Sequence, residues 1–563
     1  LSDELEFVLA YHQATKHSFP RMAPGPKTMD WANEPRPFRR FRGAELVELA
    51  RPEPSPGEGP AYDLALTGGN VPPRPLSFDT VSQLLFDSLA ISAWRRAGGA
   101  AWALRVNPSS GNLHPTEGYL ISGPVPGLFD SPTVAHYAPR EHGLEVRGRF
   151  SEEAWRDMAL PEGTVLVGLS SIPWREAWKY GERAFRYLHL NVGHALAALS
   201  FASAALGWQA SLLDCLGTDE VAFLLGLTDG RDSGRGEVRA DPEAEVADCL
   251  VAVHPWGERV DGISLSEEVR AEFGELRWQG RPDRLSPAPV AWPLVAAMAA
   301  AAAKPPGEGG AEDKGGFEEK IAVDGKGLPS FSYPPLSLRK VIRGRRSSIA
   351  MDPAFSMTRE DLFRALSRTI PGPGRFPFGL PPWRQVVDLA IYLHRVLGLD
   401  RGLYLLLRDP QHESRLRAEM RASFDWARPE GAPPGFFRLA AGDFRDLARA
   451  LTCGQKIASD CCFTTSMIAP LKTALEDRGP WFYSRLHWEC GIVGQTLYLE
   501  AEAAGLRGCG IGCFFDDPVT SALGLDLPDW GPLYSFAVGK ELPPSRTEIL
   551  PADPGPSHQP GKR

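Results

Sequence analysis

Residues 188–227, LHLNVGHALAALSFASAALGWQASLLDCLGTDEVAFLLGL, and residues 486–525, LHWECGIVGQTLYLEAEAAGLRGCGIGCFFDDPVTSALGL, run in register at a constant spacing of 298 residues without a gap. Leu188/Leu486, His189/His487, Gly193/Gly491, Gly207/Gly505, Cys215/Cys513, Asp219/Asp517 and the closing LGL are identical. Chance does not supply so many matches in fixed register, so the chain is read as a domain-scale duplication. Each copy describes a long Ala-rich helix ending at Gly207 or Gly505, the residue type expected just past a helix C-terminus. A short strand follows, then an acidic turn and a short helix. A helix that is apolar nearly all round must be buried on most sides. One copy alone would leave much of that helix exposed. The two copies are therefore expected to pack through these helices, as an intramolecular pseudo-dimer.

The rest of the chain extends the pattern. LSFDTVSQLLFDSLA from Leu76 parallels FSMTREDLFRALSRT from Phe355, both amphipathic helices with Ser or Thr caps. ADCLVAVHP and LYSFAVGKE read as matching strands. The boundaries implied are 1–285 for copy one, a 286–330 Ala/Gly/Pro-rich linker, 331–550 for copy two, and a Pro-rich, disordered tail at 551–563. The linker's centre is PPGEGGAEDKGG.

Composition excludes several function classes. The chain of 563 residues is 43% hydrophobic and 23% charged, as a globular protein is. Its net charge of −9 comes without a basic stripe, so nucleic acid is not an expected partner. The one basic knot, Arg36 to Arg42, reads as a solvated face. LSDELEFVLAYHQ is acidic and amphipathic and is not read as a signal peptide. The apolar run Val290–Ala303 is shorter than the roughly 20 residues a membrane-spanning helix needs, so no membrane segment is expected. Eight scattered cysteines, with no C-x-x-C pair and no accompanying His cluster, point to no metal site and to a reducing cytoplasm.

Two stretches can carry chemistry. Arg345-Arg346-Ser347-Ser348 puts two guanidiniums and two hydroxyls in one short loop, a donor set suited to phosphate. Asn107-Pro108-Ser109-Ser110-Gly111-Asn112, followed by Leu113-His114-Pro115, offers close backbone approach and polar side chains to the edge of a flat heterocycle. His189 and His487 recur in both copies and read as structural. His114, beside the loop, is a candidate substrate contact.

Taken together, Arg345-x-Ser347, the Pro108–Asn112 loop and the helix–Gly–strand–Asp-Asp block ending at Asp517 resemble the nitroreductase family of flavoproteins. PSSGNLHPTEGYL and WKYGERAFRYLHLNVGHA are similar to its thiazoline/oxazoline-dehydrogenase (SagB/McbC-type) branch. The resemblance implies an α+β fold, two tandem sandwich domains of mainly antiparallel sheet flanked by helices, with FMN bound where the copies meet. It assigns Arg345 and Ser347, with Arg346 in support, to the FMN phosphate. Pro108, Ser109, Ser110 and Asn112 fall to the flavin ring, Ile511, Gly512 and Cys513 to its reactive edge, and Arg546 to the phosphate from the C-terminal side. The azoline branch carries a Lys-Tyr pair at the place of Lys179 and Tyr180, which become the catalytic pair, since a Lys or Tyr of lowered pKa can act as a general base.

Departures matter too. Ile349 stands where the family often has a basic residue. The mirror loop near Gly379-Leu380-Pro381 keeps neither Ser, and Lys16-His17-Ser18 is taken as the altered copy-one counterpart of Arg-x-Ser. One FMN per chain is therefore expected. The activity implied is two-electron oxidation of a small-molecule or peptide substrate, of the azoline-to-azole type. The residues leave open an NAD(P)H-dependent nitro- or quinone reductase, and a flavin-binding scaffold with a decayed site. They also leave open whether the pseudo-dimer is monomeric or pairs again.

Overall fold

The two long helices, Ala184–Ala205 and Phe482–Ala503, pack directly on each other and form the spine of the protein. Every residue of the first is buried, as the all-round apolar pattern requires. The duplicated glycines bring the backbones together: a Cβ on Gly193 would lie 2.8 Å from Trp488 Cα, and one on Gly491 2.7 Å from Gly193 Cα. A close crossing of this kind is available only to residues without side chains at the contact.

A computed structural model describes residues 2–52, 59–227, 241–260, 262–307, 333, 335–372, 374–525, 529–543 and 547–553. Two antiparallel sheets flank the spine. The copy-one sheet runs in the order Leu46–Glu48, Gly143–Arg149, Thr133–Ala138, Thr116–Ser122, Val165–Ser171, Val246–Pro255, Trp208–Leu212. The copy-two sheet repeats the last six places as Phe436–Ala441, Gly402–Leu406, Asp388–Leu393, Phe463–Pro470, Trp530–Gly539, Arg507–Ile511. In each copy the strand that follows the spine helix becomes a sheet edge, which brings the turn after it to the seam. The largest apolar core runs through both copies, from Leu84, Val167 and Leu196 to Leu389, Leu486 and Phe536. Smaller cores cover the outer face of each sheet. The capped helices appear at Phe78–Phe86 and Arg359–Thr369, with Ser77 and Thr358 accepting from backbone N–H groups. Among the described residues no helix is long and apolar enough to cross a membrane.

Three expectations change. Residues 286–307 are not free linker: Pro293–Ala301 is a helix that buries Val295 and Met298 and packs on the helix Asp3–Ala14. The linker's remainder, 308–332, lies outside the described residues, as does the tail from 554. Copy two also does not end on itself. Glu548–Pro551 pairs with Ile91–Ala97 of copy one, completing a three-stranded sheet with Ala100–Arg105. The Arg36–Arg42 knot is a solvated face only at Arg36 and Arg42, because distant acids fold back onto Arg39 and Arg40. Arg39 is 3% exposed, donates to the main-chain O of Asp283 and Glu243 and lies 3.4 Å from the Glu245 carboxylate, while Arg40 pairs with Glu141 and Glu145 at 2.6 Å each. Charged groups leave water only when they are paired in this way.

Candidate active site at the seam of the two copies

A cavity of about 340 Å³ opens where the copies meet, within the range of small-molecule sites. Arg345, Arg346 and Ser347 wall one end, Pro108 to Asn112 another, and Ile511, Gly512 and Cys513 a third side. Tyr180 lines it too. The fold thus brings together residues that lie more than 400 positions apart in the chain.

The basic end is built on the turn after the helix Leu338–Gly344, which leaves Arg345 in extended backbone. Arg345 donates through one Nη to Arg105 O at 2.9 Å, and its guanidinium lies 5.0 Å from the Tyr498 ring centroid. Its Nε and other Nη are buried and have no acceptor within the protein. Burial pushes the Arg345 pKa down to about 10. Burial, with Arg345, Arg507, Arg95 and Arg343 close by, pushes Arg346 down to about 9. Arg346 fills some of its N–H groups on Ser92 and on Arg343 O and Arg345 O, but its Nε has no acceptor. Buried guanidiniums with unfilled donors and no carboxylate among them are costly unless an anion completes them. The donor set suits phosphate. Ser347 Oγ is 2.8 Å from Tyr498 Oη, which accepts from Gly510 N, so the loop is latched to the strand Arg507–Ile511. Ile349, where a further cation was missed, is 56% exposed and faces away from the cradle, whereas Arg346 lines it.

The opposite wall is a rigid, polar loop. Gly111, Asn112 and His114 all have positive φ, at 61°, 60° and 51°. Asn112 donates to Ala103 O at 2.9 Å, His114 N donates to Ser109 Oγ at 2.8 Å, and Ser110 N donates to Asn191 Oδ1 at 2.9 Å. Asn191 sits on the spine helix and donates in turn to Glu176 Oε1 at 2.7 Å. Glu176 is fully buried, and burial pushes its pKa up to about 8, so it carries a proton at neutral pH. His114 is buried beside this loop and kept neutral, its pKa lowered well below the usual value by burial and then by Arg105. The His114 Nδ1 has no partner within the protein.

Lys179 and Tyr180 end the helix Pro173–Tyr180 and meet the loop at Gly111. A Cβ there would stand 2.6 Å from Tyr180 Oη and 3.2 Å from Lys179 Nζ, so the absence of a side chain lets both polar groups approach. Tyr180 departs from the expected lowered pKa. Burial, then Glu176 and Tyr187, push it well above the usual phenol value, so the hydroxyl is a proton donor rather than a base. Its ring packs on Tyr187 at 4.4 Å, and Tyr187 Oη donates to Gly512 O at 3.1 Å.

Other placements differ from the sequence reading. Lys16-His17-Ser18 does not belong to the mirror position: Lys16 pairs with Asp517 at 2.7 Å and His17 N donates to Asp516 Oδ2. The segment packs on the turn after Ile511, beside the first cavity. Arg183 and Arg186 bury their charge on the same Asp516, which fixes that turn. The counterpart of the Arg345 loop is Leu66 to Pro72, following the helix Tyr62–Ala65, whose N-cap Ala61 bridges Ser337, the N-cap of Leu338–Gly344. Arg546 lies outside the described residues. His189 and His487 are internal: His189 accepts from Trp488 Nε1 at 3.0 Å, and His487 bonds Tyr483 O.

Several residues of the site went unread in the sequence. Glu176, Asn191 and Tyr498 are ordinary residues on helices, and only the tertiary packing aims them at the cavity. Cys513 was expected at the flavin's reactive edge, but nothing in the sequence shows that its thiol is hydrogen-bonded by Cys453, which lowers its pKa against burial, helped by His17 and Arg183. Among the described residues no cluster suits a metal ion.

Comparison with known proteins agrees with this fold. Residues 414–540 match the family model described as the nitroreductase family. A candidate nitroreductase of Methanocaldococcus jannaschii is 25% identical over 139 residues, 24% of this chain. The match spans 66% of that relative, just under two thirds of its length. The crystal structure of a candidate nitroreductase from Anabaena variabilis superposes with a TM-score of 0.67 at 21% identity. It covers 95% of this chain and 99% of that one, so the shared fold extends over both copies.

Proposed function

We propose that this tandem pair of nitroreductase-fold units is an FMN-dependent oxidoreductase with a single composite site, and that it removes two electrons from a heterocyclic, peptide-derived substrate. The observation that carries the reading is the seam cavity. At one end buried Arg345 and half-buried Arg346 hold unfilled N–H donors, and at the other stands a rigid polar loop, Pro108 to Asn112. Copy two supplies the phosphate-binding residues Arg345, Arg346 and Ser347. Copy one supplies the ring-facing residues Pro108, Ser109, Ser110 and Asn112. Ile511, Gly512 and Cys513 line the remaining side. FMN, when bound, supplies two-electron, hydride-type redox chemistry.

The chain's own residues then do the rest. Burial of the guanidiniums strengthens their hold on an anion, since hydrogen bonds to charged groups in a dry site contribute about 1.5–3 kcal/mol each. The Glu176–Asn191–Ser110 relay fixes the loop in one position. In this reading Lys179, half-buried behind Gly111 and not itself on the cavity wall, takes a carbon-bound proton from substrate, while Tyr180, which lines the cavity, keeps its proton and donates a hydrogen bond. An azoline-to-azole oxidation needs such a pair: one proton leaves a ring carbon as the hydride equivalent leaves its neighbour.

Purified protein should be yellow with one FMN per chain. Bleaching by an azoline-containing peptide, and not by NADPH, supports the dehydrogenase. Rapid bleaching by NADPH would replace it with a nitro- or quinone reductase. Colourless protein that ignores added FMN would leave only a scaffold role.

A further inference from the structure

The pseudo-twofold relation predicts a second cavity opposite the first, and one of about 240 Å³ is present. It is walled by Trp256, Phe376, Phe378 and Trp383, with Arg375 at its margin. The place of the phosphate cradle is filled. A Cβ on Gly68, in the loop that replaces Arg345–Ser347, would fall within 2.6 Å of Trp256 Cζ3 and closer still to two other ring atoms. Trp256 therefore lies flat on the glycines, with Phe376 5.7 Å away. The other flavin-side groups have changed as well. Glu489 stands at the position of Asn191, and it is consumed by Arg408 at 2.7 Å and by the N–H groups of Val386 and Val387.

What remains available to a ligand is narrow. Arg384 is held by Asp409, Gln209 donates to Glu258 O, Ser211 bonds His254, and Gln385 donates to Phe378 O. Of the polar groups lining the cavity, Arg384 Nε, Trp383 Nε1 and the Arg375 guanidinium are left unfilled or nearly so. Trp383 Nε1 is buried with no acceptor. Arg375 is half-buried, makes one long bond to Ile370 O, and meets no carboxylate among the described residues. Burial and the neighbouring Arg368 both lower its pKa, so the charge is uncompensated.

We propose that this second cavity is a separate binding site for a small planar aromatic carboxylate. The ring would lie between Trp256, Phe376 and Trp383, the carboxylate on Arg375, and an acceptor atom against the Trp383 indole N–H. Aromatic walls favour a flat ring, and an unpaired guanidinium favours a carboxylate in bidentate geometry. The site stands apart from the flavin reading: it asks nothing of FMN, and FMN is too long for it once Trp256 occupies the cradle.

Isothermal titration of the whole, purified chain with indole-3-carboxylate and with benzoate tests this, alongside indole and benzamide as uncharged analogues. FMN content is measured in the same samples. One carboxylate per chain should bind, and the uncharged analogues should bind about tenfold or more weakly. Arg375→Met should cost at least about tenfold in carboxylate affinity, and Trp383→Phe a smaller factor, with FMN content unchanged in both. No binding of either carboxylate at millimolar concentration would overturn the proposal. So would binding indifferent to Arg375→Met, or a second FMN per chain that displaces the probe. Loss of FMN with retained probe binding would strike the flavin reading alone.

Discussion

Replacing Gly491 with alanine tests the spine on which both cavities depend. In an exposed helix interior, Gly→Ala stabilises by about 1 kcal/mol, because alanine loses less backbone freedom on folding. At Gly491 the added Cβ would lie 2.7 Å from Gly193 Cα and from His194 N, and nearer still to Leu190 O. Real Cβ contacts essentially never fall below 3.0 Å, and these neighbours are backbone atoms that cannot rotate aside. The helices would have to separate by roughly 0.5–1 Å along a fully buried contact, and overpacking of this kind costs about 1–3 kcal/mol. The strain exceeds the propensity gain, so a net loss of about 1–2 kcal/mol is expected. Gly274 is the internal control: it is helical, its φ is not positive, and nothing lies within 4 Å of its Cβ position. Thermal or urea unfolding should therefore order the proteins Gly274→Ala, wild type, Gly491→Ala, from most to least stable. The Gly491 variant should also hold FMN less tightly, since His194 and Asn191 line the first cavity from the displaced helix. Equal or greater stability of Gly491→Ala than of Gly274→Ala would refute the close-crossing argument.

Further outcomes follow from the same geometry. Arg345→Met removes two unfilled donors from the cradle, and FMN affinity measured by fluorescence should fall by about two orders of magnitude. Lys179→Ala should abolish turnover of the azoline substrate while leaving FMN bound; full activity would remove Lys179 from the mechanism. Glu176 has its folded pKa raised above the unfolded one, to about 8. The folded state therefore holds the proton more tightly, and this stabilisation is complete below about pH 4.5 and lost as pH rises towards 8. Glu176→Gln should flatten the fall in melting temperature between pH 5 and 8, though not abolish it. Glu500 and Asp248, both pushed up to about 7 by burial, contribute with the same sign. A chain stopped after Glu541 loses the strand Glu548–Pro551, and hydrogen exchange should quicken at Arg95 and Arg96 while FMN is held more weakly.

The duplication was legible because it is ungapped across the one segment where both copies face the same constraint, each packing on the other. Gly193 and Gly491 match for a physical reason: neither helix can cross the other with a side chain there. Arg345, Ser347 and the Pro108–Asn112 loop were legible because their donors lie side by side in the chain. What escaped was chemistry assembled over distance. Arg39 and Arg40 look like a solvated run until Glu141, Glu145 and Glu245 fold onto them. The pKa of Glu176 depends on a burial that no local pattern announces. Lys16-His17-Ser18 resembled a phosphate loop by composition, yet its partners, Asp516 and Asp517, lie some 500 residues later.

The difference between the two cavities follows from covalent fusion. In a symmetric homodimer every substitution lands in both sites at once, so neither can change without the other. Fusion removes that coupling, and the paired positions show the result. Asn191, which holds the ring-facing loop, is answered by Glu489, a carboxylate that requires the buried Arg408 to neutralise it. Tyr187 is answered by Arg485, paired with Asp214, and Tyr498 by Ser200. Arg408 also ties the mirror loop to the helix Arg359–Thr369 through Thr369 O. Restoring Asn at position 489 would strand the Arg408 charge in a dry interior, at a cost typical of breaking a buried pair, about 3–5 kcal/mol. The mirror cavity therefore cannot be given the groups of the first one residue at a time. Its altered groups now support one another, as the groups of the first cavity do.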